Sequence, residues 1–166
     1  MNDKTVVIMG LGYVGLPLAY EAQMAGLEVT GFDVDEEVVL SLNSGVSHID
    51  DISDGQVCEI VRRGFKATSD PAAIAKVDVV VVCVPTPLSV NGGPALSYVE
   101  ASVELICHNL RAGHLVILES TTYPGTTEEV LVPGLEESGL KAGKDFHVAF
   151  SPERIDPGNE GFGIAN

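Results

Sequence analysis

Short apolar segments alternate with longer amphipathic ones along the chain, and this alternation limits the possible folds more than any other feature. The apolar segments are rich in β-branched residues, and those at 79–84 and 115–118 are apolar throughout, which is typical of strands buried on both faces. The longer segments have helical periodicity and end at glycine or at a polar break. The pattern predicts an α/β fold with a doubly wound parallel sheet and helices on both of its faces.

The predicted elements cover most of the chain. We expect strands at residues 5–9, 28–32, 65–68, 78–84, 114–118 and 146–150, and helices at 14–25, 35–43, 53–63, 71–76, 97–110 and 126–137. Ligands bind such a sheet at the carboxyl ends of its strands, so the residues that follow each predicted strand are the candidates for function.

Composition excludes several classes of protein. With 166 residues, 45% of them hydrophobic and 20% charged, the chain is long and apolar enough for one folded domain, which we place at residues 1–166. A formal net charge of -15 argues against nucleic-acid and anionic-membrane partners. Residues 151–166 are rich in Gly and Pro and contain no closing helix or strand. We therefore expect the domain to be the amino-terminal part of a longer protein.

Cysteine and histidine usage predicts neither disulfides nor a metal site. The chain has 3 Cys, widely spaced and without a Cys-x-x-Cys pair, which favours a reducing compartment such as the cytoplasm. Its 4 His have no ligand spacing. Cys83 in a buried strand pattern and Cys107 on a helix are typical of inert core thiols rather than of nucleophiles.

The sequence Gly-Leu-Gly-Tyr-Val-Gly at 10–15 follows the first predicted strand and begins a helix. In this context Gly10 permits the tight turn, Gly12 leaves room for a pyrophosphate, and Gly15 allows helix and strand to approach closely. The helix amino terminus supplies N–H donors and a partial positive charge. The motif therefore predicts a Rossmann fold that binds a dinucleotide, although in isolation a plain glycine-rich turn would be an equal alternative.

Asp33 strengthens this interpretation. It ends the second predicted strand, 18 residues after Gly15, close to the position of the carboxylate that holds an adenosine ribose. Its charge, followed by Asp35, Glu36 and Glu37 with no Arg nearby, favours NAD over NADP. The alternative is that Asp33 only caps the following helix.

Three further segments follow predicted strands. Thr86, in Val-Pro-Thr-Pro at 84–87, lies where a loop would approach a cofactor, unless the prolines only stiffen that loop. The segment 119–127 brings four threonines and a serine to the same edge, and helix capping by Thr126 or Thr127 explains only part of it. In the segment 151–159, Arg154 could pair with an anionic substrate, although a surface ion pair explains it equally well.

Together these segments resemble the amino-terminal NAD-binding domain of the UDP-glucose/GDP-mannose dehydrogenase family. The matching residues follow the family order over essentially the whole chain: 10–17, Asp33, 84–87, 119–121 with 124–127, and 151–158. Pro-Glu-Arg-Ile-Asp-Pro-Gly at 152–158 is similar to the branch that acts on UDP-N-acetylhexosamines, such as UDP-N-acetylmannosamine and UDP-N-acetylglucosamine.

The resemblance implies oxidation of a sugar's primary alcohol to a carboxylate by two successive hydride transfers to NAD, through a thiohemiacetal and a thioester on a cysteine. It implies that Glu153 acts in acid/base work or positions water, and that Arg154 and Ile155 contact the UDP-sugar. It further implies a homo-oligomer for the full-length protein. The implied cofactor-binding residues are Gly10, Gly12, Tyr13, Val14, Gly15 and Asp33, with Thr86, Thr121 and Thr127 near the nicotinamide half.

The chain departs from the family in ways that bear on activity. It contains no match for the family's cysteine nucleophile or for its lysine and asparagine partners, so we expect the chain alone not to turn over substrate. Pro157 replaces a glutamate found in some members, and Val38 replaces a common basic residue. The alternatives are a non-catalytic NAD-sensing module, supported by the absent nucleophile, and a flavoprotein that uses the same glycine motif for FAD.

Overall fold

A computed structural model describes residues 4–87, 93 and 95–152. Within them, parallel strands form a 6-stranded sheet ordered β3-β2-β1-β4-β5-β6, so the winding direction reverses between β1 and β4. This order confirms the predicted doubly wound Rossmann sheet. The strands are β1 (Thr5–Met9), β2 (Glu28–Phe32), β3 (Lys66–Thr68), β4 (Val79–Val82), β5 (Leu115–Leu118) and β6 (His147–Phe150).

The helices lie where the periodicity predicts them, with two differences in type. The α-helices are α1 (Gly15–Met24), α2 (Glu36–Asn43), α3 (Asp54–Arg62), α4 (Ser97–Asn109) and α5 (Val132–Glu136). Residues Pro71–Lys76 form a 3-10 helix, because six residues between the Asp70 cap and β4 are too few for two α-helical turns. None of the helices in the described part of the chain is long and apolar enough to cross a membrane.

The predicted helix 126–137 begins with a π-helical turn, Thr127–Leu131, before α5. The N–H of Val132 donates to the carbonyl of Thr127, five residues back. Pro133 has no N–H to donate to the carbonyl four residues before it, so the regular α-helical pattern is interrupted here.

Each face of the sheet is covered by its own hydrophobic core. On one face α1, α2 and α3 pack over β1 and β2, with Leu16, Ile60 and Phe65 fully buried. On the other face the 3-10 helix, α4 and α5 pack over β4 and β5, with Ile74 and Ile106 fully buried. Burial of these apolar side chains holds the strands in register, so that the loops after β1, β2, β4 and β5 meet at one edge of the sheet.

Polar side chains close the opposite, amino edge. Asp78, just before β4, accepts hydrogen bonds from the backbone N–H (3.2 Å) and the hydroxyl (3.3 Å) of Thr5. The backbone hydrogen bond from Thr5 is the main cause that holds the pKa of the Asp78 carboxyl below its ordinary value. Arg111 lies 3.7 Å from the other Asp78 oxygen and donates to the main-chain carbonyls of Ala75 (3.1 Å) and Val77.

His114 lies beneath this network and is fully buried. Its Nδ1 accepts a hydrogen bond of 3.3 Å from the backbone N–H of Arg111. Burial lowers the pKa of the His114 imidazole, and the nearby Arg111 charge lowers it further. The ring is therefore suited to remain neutral inside the fold.

Candidate functional site

A cavity of about 590 Å³ opens at the carboxyl edge, where the winding direction reverses between β1 and β4. Its walls come from the ends of β1, β2, β4 and β5, the loops that follow them, and one side of α4. A cavity at this point of a doubly wound sheet is the expected ligand site, and its volume is within the range for cofactors.

The three glycines of the 10–15 turn differ in what surrounds them. Gly10 has φ +89°, and a Cβ there would lie 2.9 Å from the carbonyl oxygen of Cys83. A Cβ on Gly15 would lie 1.8 Å from the carbonyl oxygen of Gly10, so only glycine allows α1 to start this close to the turn. A Cβ on Gly12 would meet no protein atom within 4 Å, which leaves open space against the backbone.

The amino terminus of α1 faces this space without a protein cap. Its N-cap residue, Val14, makes no side-chain cap hydrogen bond, and the first turn of α1 carries no acidic residue. Gly10, Gly12, Tyr13 and Val14 line the cavity. Backbone N–H groups and the positive end of the helix dipole are therefore available to an anion such as a diphosphate.

Asp33 lies at the end of β2 on the wall beside this turn. Its Oδ2 accepts a hydrogen bond of 2.8 Å from the backbone N–H of Leu11, and its Oδ1 accepts one of 3.0 Å from that of Asp35. The cap of α2 is Asp35, which accepts from the N–H of Glu37 at 2.9 Å. Asp33 therefore does not cap α2, and its fixed carboxylate keeps lone pairs for ribose hydroxyls.

Hydroxyl groups join the loops on the other side of the cavity. The Thr86 hydroxyl donates to the carbonyl of Thr121 at 2.5 Å, and both residues line the cavity. The buried Ser120 donates to the carbonyl of Val84 at 2.9 Å. These bonds tie the loop after β4 to the loop after β5, and so determine the width of the cavity on this side.

The remaining predicted residues lie elsewhere. Thr127 stands on the π-helical turn and is not part of the cavity wall that the described residues form. Thr126 has the N-cap position there, but its hydroxyl donates to the carbonyl of Tyr123 at 2.7 Å and caps nothing. Glu153, Arg154 and Ile155 lie outside the described residues. The roles of Thr127 and of these three residues remain predictions.

Two parts of the cavity wall are absent from the sequence-based prediction. One is the side of α4 that carries Tyr98, Ser102 and Leu105, whose spacing of one helical turn was visible but gave no indication of what that side faces. The other is His48, from the loop between α2 and α3. No sequence motif marks His48, since its place depends on how the loop returns to the sheet edge.

The cysteines fit structural roles. Cys83 is buried behind Gly10 at the end of β4. Burial raises the pKa of the Cys107 thiol, and the charge of Glu137 raises it further. A thiol that resists ionisation is a poor nucleophile, so Cys107 is suited to packing on α4.

An uncapped helix start beside a glycine turn, with a fixed carboxylate on the next strand, defines a dinucleotide-binding domain of the Rossmann class. More specifically, residues 4–165 match the model of the UDP-glucose/GDP-mannose dehydrogenase family, NAD binding domain. The chain belongs to this family, and NAD is its cofactor.

Similar proteins agree with this assignment. Over 92% of its length the chain is 39% identical to a UDP-N-acetyl-D-mannosamine dehydrogenase of Pyrococcus horikoshii, and over 96% it is 39% identical to a UDP-N-acetyl-D-glucosamine 6-dehydrogenase of Pseudomonas aeruginosa. It spans about 37% of the length of these relatives.

Solved structures show the same relationship. A structure of UDP-D-ManNAc dehydrogenase from P. horikoshii superposes with a TM-score of 0.87 at 40% identity, over 93% of this chain and 37% of that one. A ternary complex of GDP-mannose dehydrogenase from P. aeruginosa also gives 0.87, at 35% identity, over 91% of this chain and 36% of that one.

Proposed function

We propose that residues 1–166 are the NAD-binding domain of a nucleotide-sugar 6-dehydrogenase that oxidises the primary alcohol of a UDP-N-acetylhexosamine to a carboxylate. The observation that carries the proposal is the meeting of the uncapped α1 terminus and the Asp33 carboxylate on one wall of the cavity. The relatives named for UDP-N-acetylmannosamine and UDP-N-acetylglucosamine support this substrate class.

Each element of the cavity has a defined task in this proposal. Backbone N–H groups from Gly10 to Gly15 bind the diphosphate, with Tyr13 and Val14 at its side, and Asp33 binds the hydroxyls of the adenosine ribose. When bound, NAD accepts the hydride from the sugar. Because these donors are part of the folded backbone, little reorganisation is needed on binding.

The second half of the cavity would hold the nicotinamide end. The Thr86 to Thr121 hydrogen bond fixes the two loops between which this end would lie, and Thr127 would stand behind them. The proposal keeps Glu153 in acid/base work or water positioning, and Arg154 and Ile155 on the nucleotide sugar. The thiol nucleophile implied for the family has no match in this chain, so the chain's own task is cofactor binding.

Preference for NAD over NADP follows from charge. Asp33 would lie beside the 2′ position of the ribose, and Asp35, Glu36 and Glu37 add negative charge at the start of α2. A 2′-phosphate would be repelled by these groups and would find no Arg among residues 34–37.

Calorimetric titration of the chain with NAD tests the proposal. Asp33→Ala should weaken NAD binding by about 1–3 kcal/mol, the scale of a charge-assisted hydrogen bond, or about 5- to 150-fold. The same change should reduce the preference for NAD over NADP, because the repelling charge is removed.

The matched control is Asp70→Ala, which removes another aspartate whose side chain accepts from a helix-start N–H, in this case that of Ala72. It should leave the NAD affinity unchanged because Asp70 does not line the cavity. An unchanged affinity in Asp33→Ala would overturn the assignment of Asp33, and wild-type chain that binds no NAD would overturn the proposed function.

A further inference from the structure

The loop between α2 and α3, residues 44–53, reaches the cavity from the side. His48 in this loop is exposed and lines the same cavity as Asp33. Neither the glycine turn nor the hydroxyl groups after β4 and β5 account for its presence there.

Hydrogen bonds on both sides of His48 hold the loop in place. The backbone N–H of Ser47 donates to Oδ1 of Asp54 at 2.8 Å, and the Ser47 hydroxyl donates to the carbonyl of Ile49 at 2.9 Å. Ile49 and Ile52 are buried, with 7% and 5% of their surface exposed. The backbone of His48 is thus fixed between a polar brace and an apolar anchor, while its side chain stays outside the core.

The loop belongs to the β2 side of the sheet. Ile49 and Ile52 pack in the same core as Val29 of β2 and Phe65 just before β3. His48 therefore enters the cavity on the side where Asp33 and Val34 follow β2, rather than on the side of the Thr86 loop.

The proposed function assigns a ligand part to this side. Asp33 holds the adenosine ribose while the diphosphate lies on the α1 terminus, so the base must extend from the ribose away from the glycine turn. Val34, next to Asp33, lines the cavity and is 77% exposed, an apolar surface without protein cover. A flat aromatic base would find Val34 and the His48 ring on the same side of the cavity.

Resting on the proposed function, we infer that His48 is an adenine-contacting residue of the NAD site and that Asp54 positions it through Ser47. The imidazole ring packs against the purine, as aromatic side chains pack against nucleic-acid bases. The contact adds affinity for the adenosine half of NAD and none for the nicotinamide half.

Calorimetry with the two halves of the cofactor tests this inference. In His48→Ala the affinities for AMP and for NAD should fall by the same factor, about 3- to 10-fold, the scale of one aromatic contact. Binding of nicotinamide mononucleotide should change by less than a factor of about 2. Equal affinity of wild type and His48→Ala for AMP would overturn the inference.

Two further variants separate a ring contact from a structural effect. His48→Phe keeps an aromatic ring and should restore most of the AMP affinity. His147→Ala removes an exposed histidine at the start of β6, away from the cavity, and should leave AMP affinity unchanged. All three variants should have the wild-type melting temperature, since both side chains are exposed. An alanine-like affinity in His48→Phe would rule out packing of the ring.

A double-mutant cycle tests the role of Asp54. Asp54→Asn should weaken AMP binding in the wild-type chain and have no effect in the His48→Ala background, because it acts through His48. The same loss in both backgrounds would overturn the positioning role. If Asp33→Ala weakens NAD binding while His48→Ala does not, this inference fails and the proposed function stands. If wild-type chain binds neither AMP nor NAD, both fail.

Discussion

The two edges of the sheet use their polar groups in opposite ways. At the carboxyl edge the amino terminus of α1 has no side-chain cap, and Gly12 borders open space. At the amino edge Asp78 is bonded to Thr5, and Arg111 donates to two main-chain carbonyls. One edge leaves strong hydrogen-bonding groups for a ligand, whereas the other satisfies its groups within the protein.

This difference separates binding from stability in a single fold. Unsatisfied donors at a helix start cost stability unless water or a ligand meets them, so they are expected where binding requires them. The amino terminus of α3 shows the alternative, because Ser53 and Gln56 form a capping box there. Changes at the carboxyl edge should therefore affect NAD affinity, and changes at the amino edge should affect the free energy of unfolding.

The largest effect is expected for Gly15→Ala. The new Cβ would lie 1.8 Å from the Gly10 carbonyl oxygen, so the turn must move, and we expect a loss of about 3 kcal/mol or more in the free energy of unfolding together with loss of NAD binding. Urea unfolding and calorimetry measure the two quantities.

Gly12→Ala is the matched variant, because its Cβ would meet no protein atom within 4 Å. It should stay within about 0.5 kcal/mol of wild type in stability but bind NAD at least about 10-fold more weakly, since the methyl group fills the diphosphate space. Wild-type NAD affinity in Gly12→Ala would show that the diphosphate does not lie there.

Arg111→Ala should have the next largest effect, on stability alone. It leaves the carbonyls of Ala75 and Val77 without the guanidinium donor, for a loss of about 1–2 kcal/mol in urea unfolding, to which the part-exposed ion pair with Asp78 adds little. Arg62→Ala, in the exposed last turn of α3, serves as the control and should be near neutral. A change in NAD affinity in Arg111→Ala would break the separation of the two edges.

The smallest effect is a pH dependence that originates at His114. The pKa of its imidazole is lowered in the folded state, so below about pH 6.5 the unfolded chain binds more protons than the folded one. The stability is therefore fully present above that pH and is lost as the pH falls towards the folded-state pKa, with a slope of at most about 1.4 kcal/mol per pH unit.

His114→Gln should remove this slope from urea unfolding measured between about pH 7 and pH 5, whereas His147→Gln should retain it. An unchanged slope in His114→Gln would assign the acid sensitivity to other groups. NAD affinity should remain at the wild-type value in both variants, because neither residue lines the cavity.

Much of the fold could be predicted from local pattern. The alternation of apolar and amphipathic segments located the strands and helices of the described chain, and Gly10, Gly12 and Asp33 were identified from spacing and from their place after strands. Local pattern could not distinguish the 3-10 helix at Pro71–Lys76 from an α-helix, nor predict the π-helical turn before Pro133. Both depend on which backbone groups find partners once the elements pack.

The sequence by itself determined the order of strands and helices, the glycine turn and the acidic residue after β2, because these depend on backbone sterics and on periods of a few residues. Only the tertiary structure decided that Thr86 bonds to Thr121, that Thr127 stands behind the cavity, and that His48 and the Leu105 side of α4 line it. The physical reason is that these contacts join segments far apart in the chain. Their geometry follows from how the loops fold over the sheet edge, which local pattern does not specify.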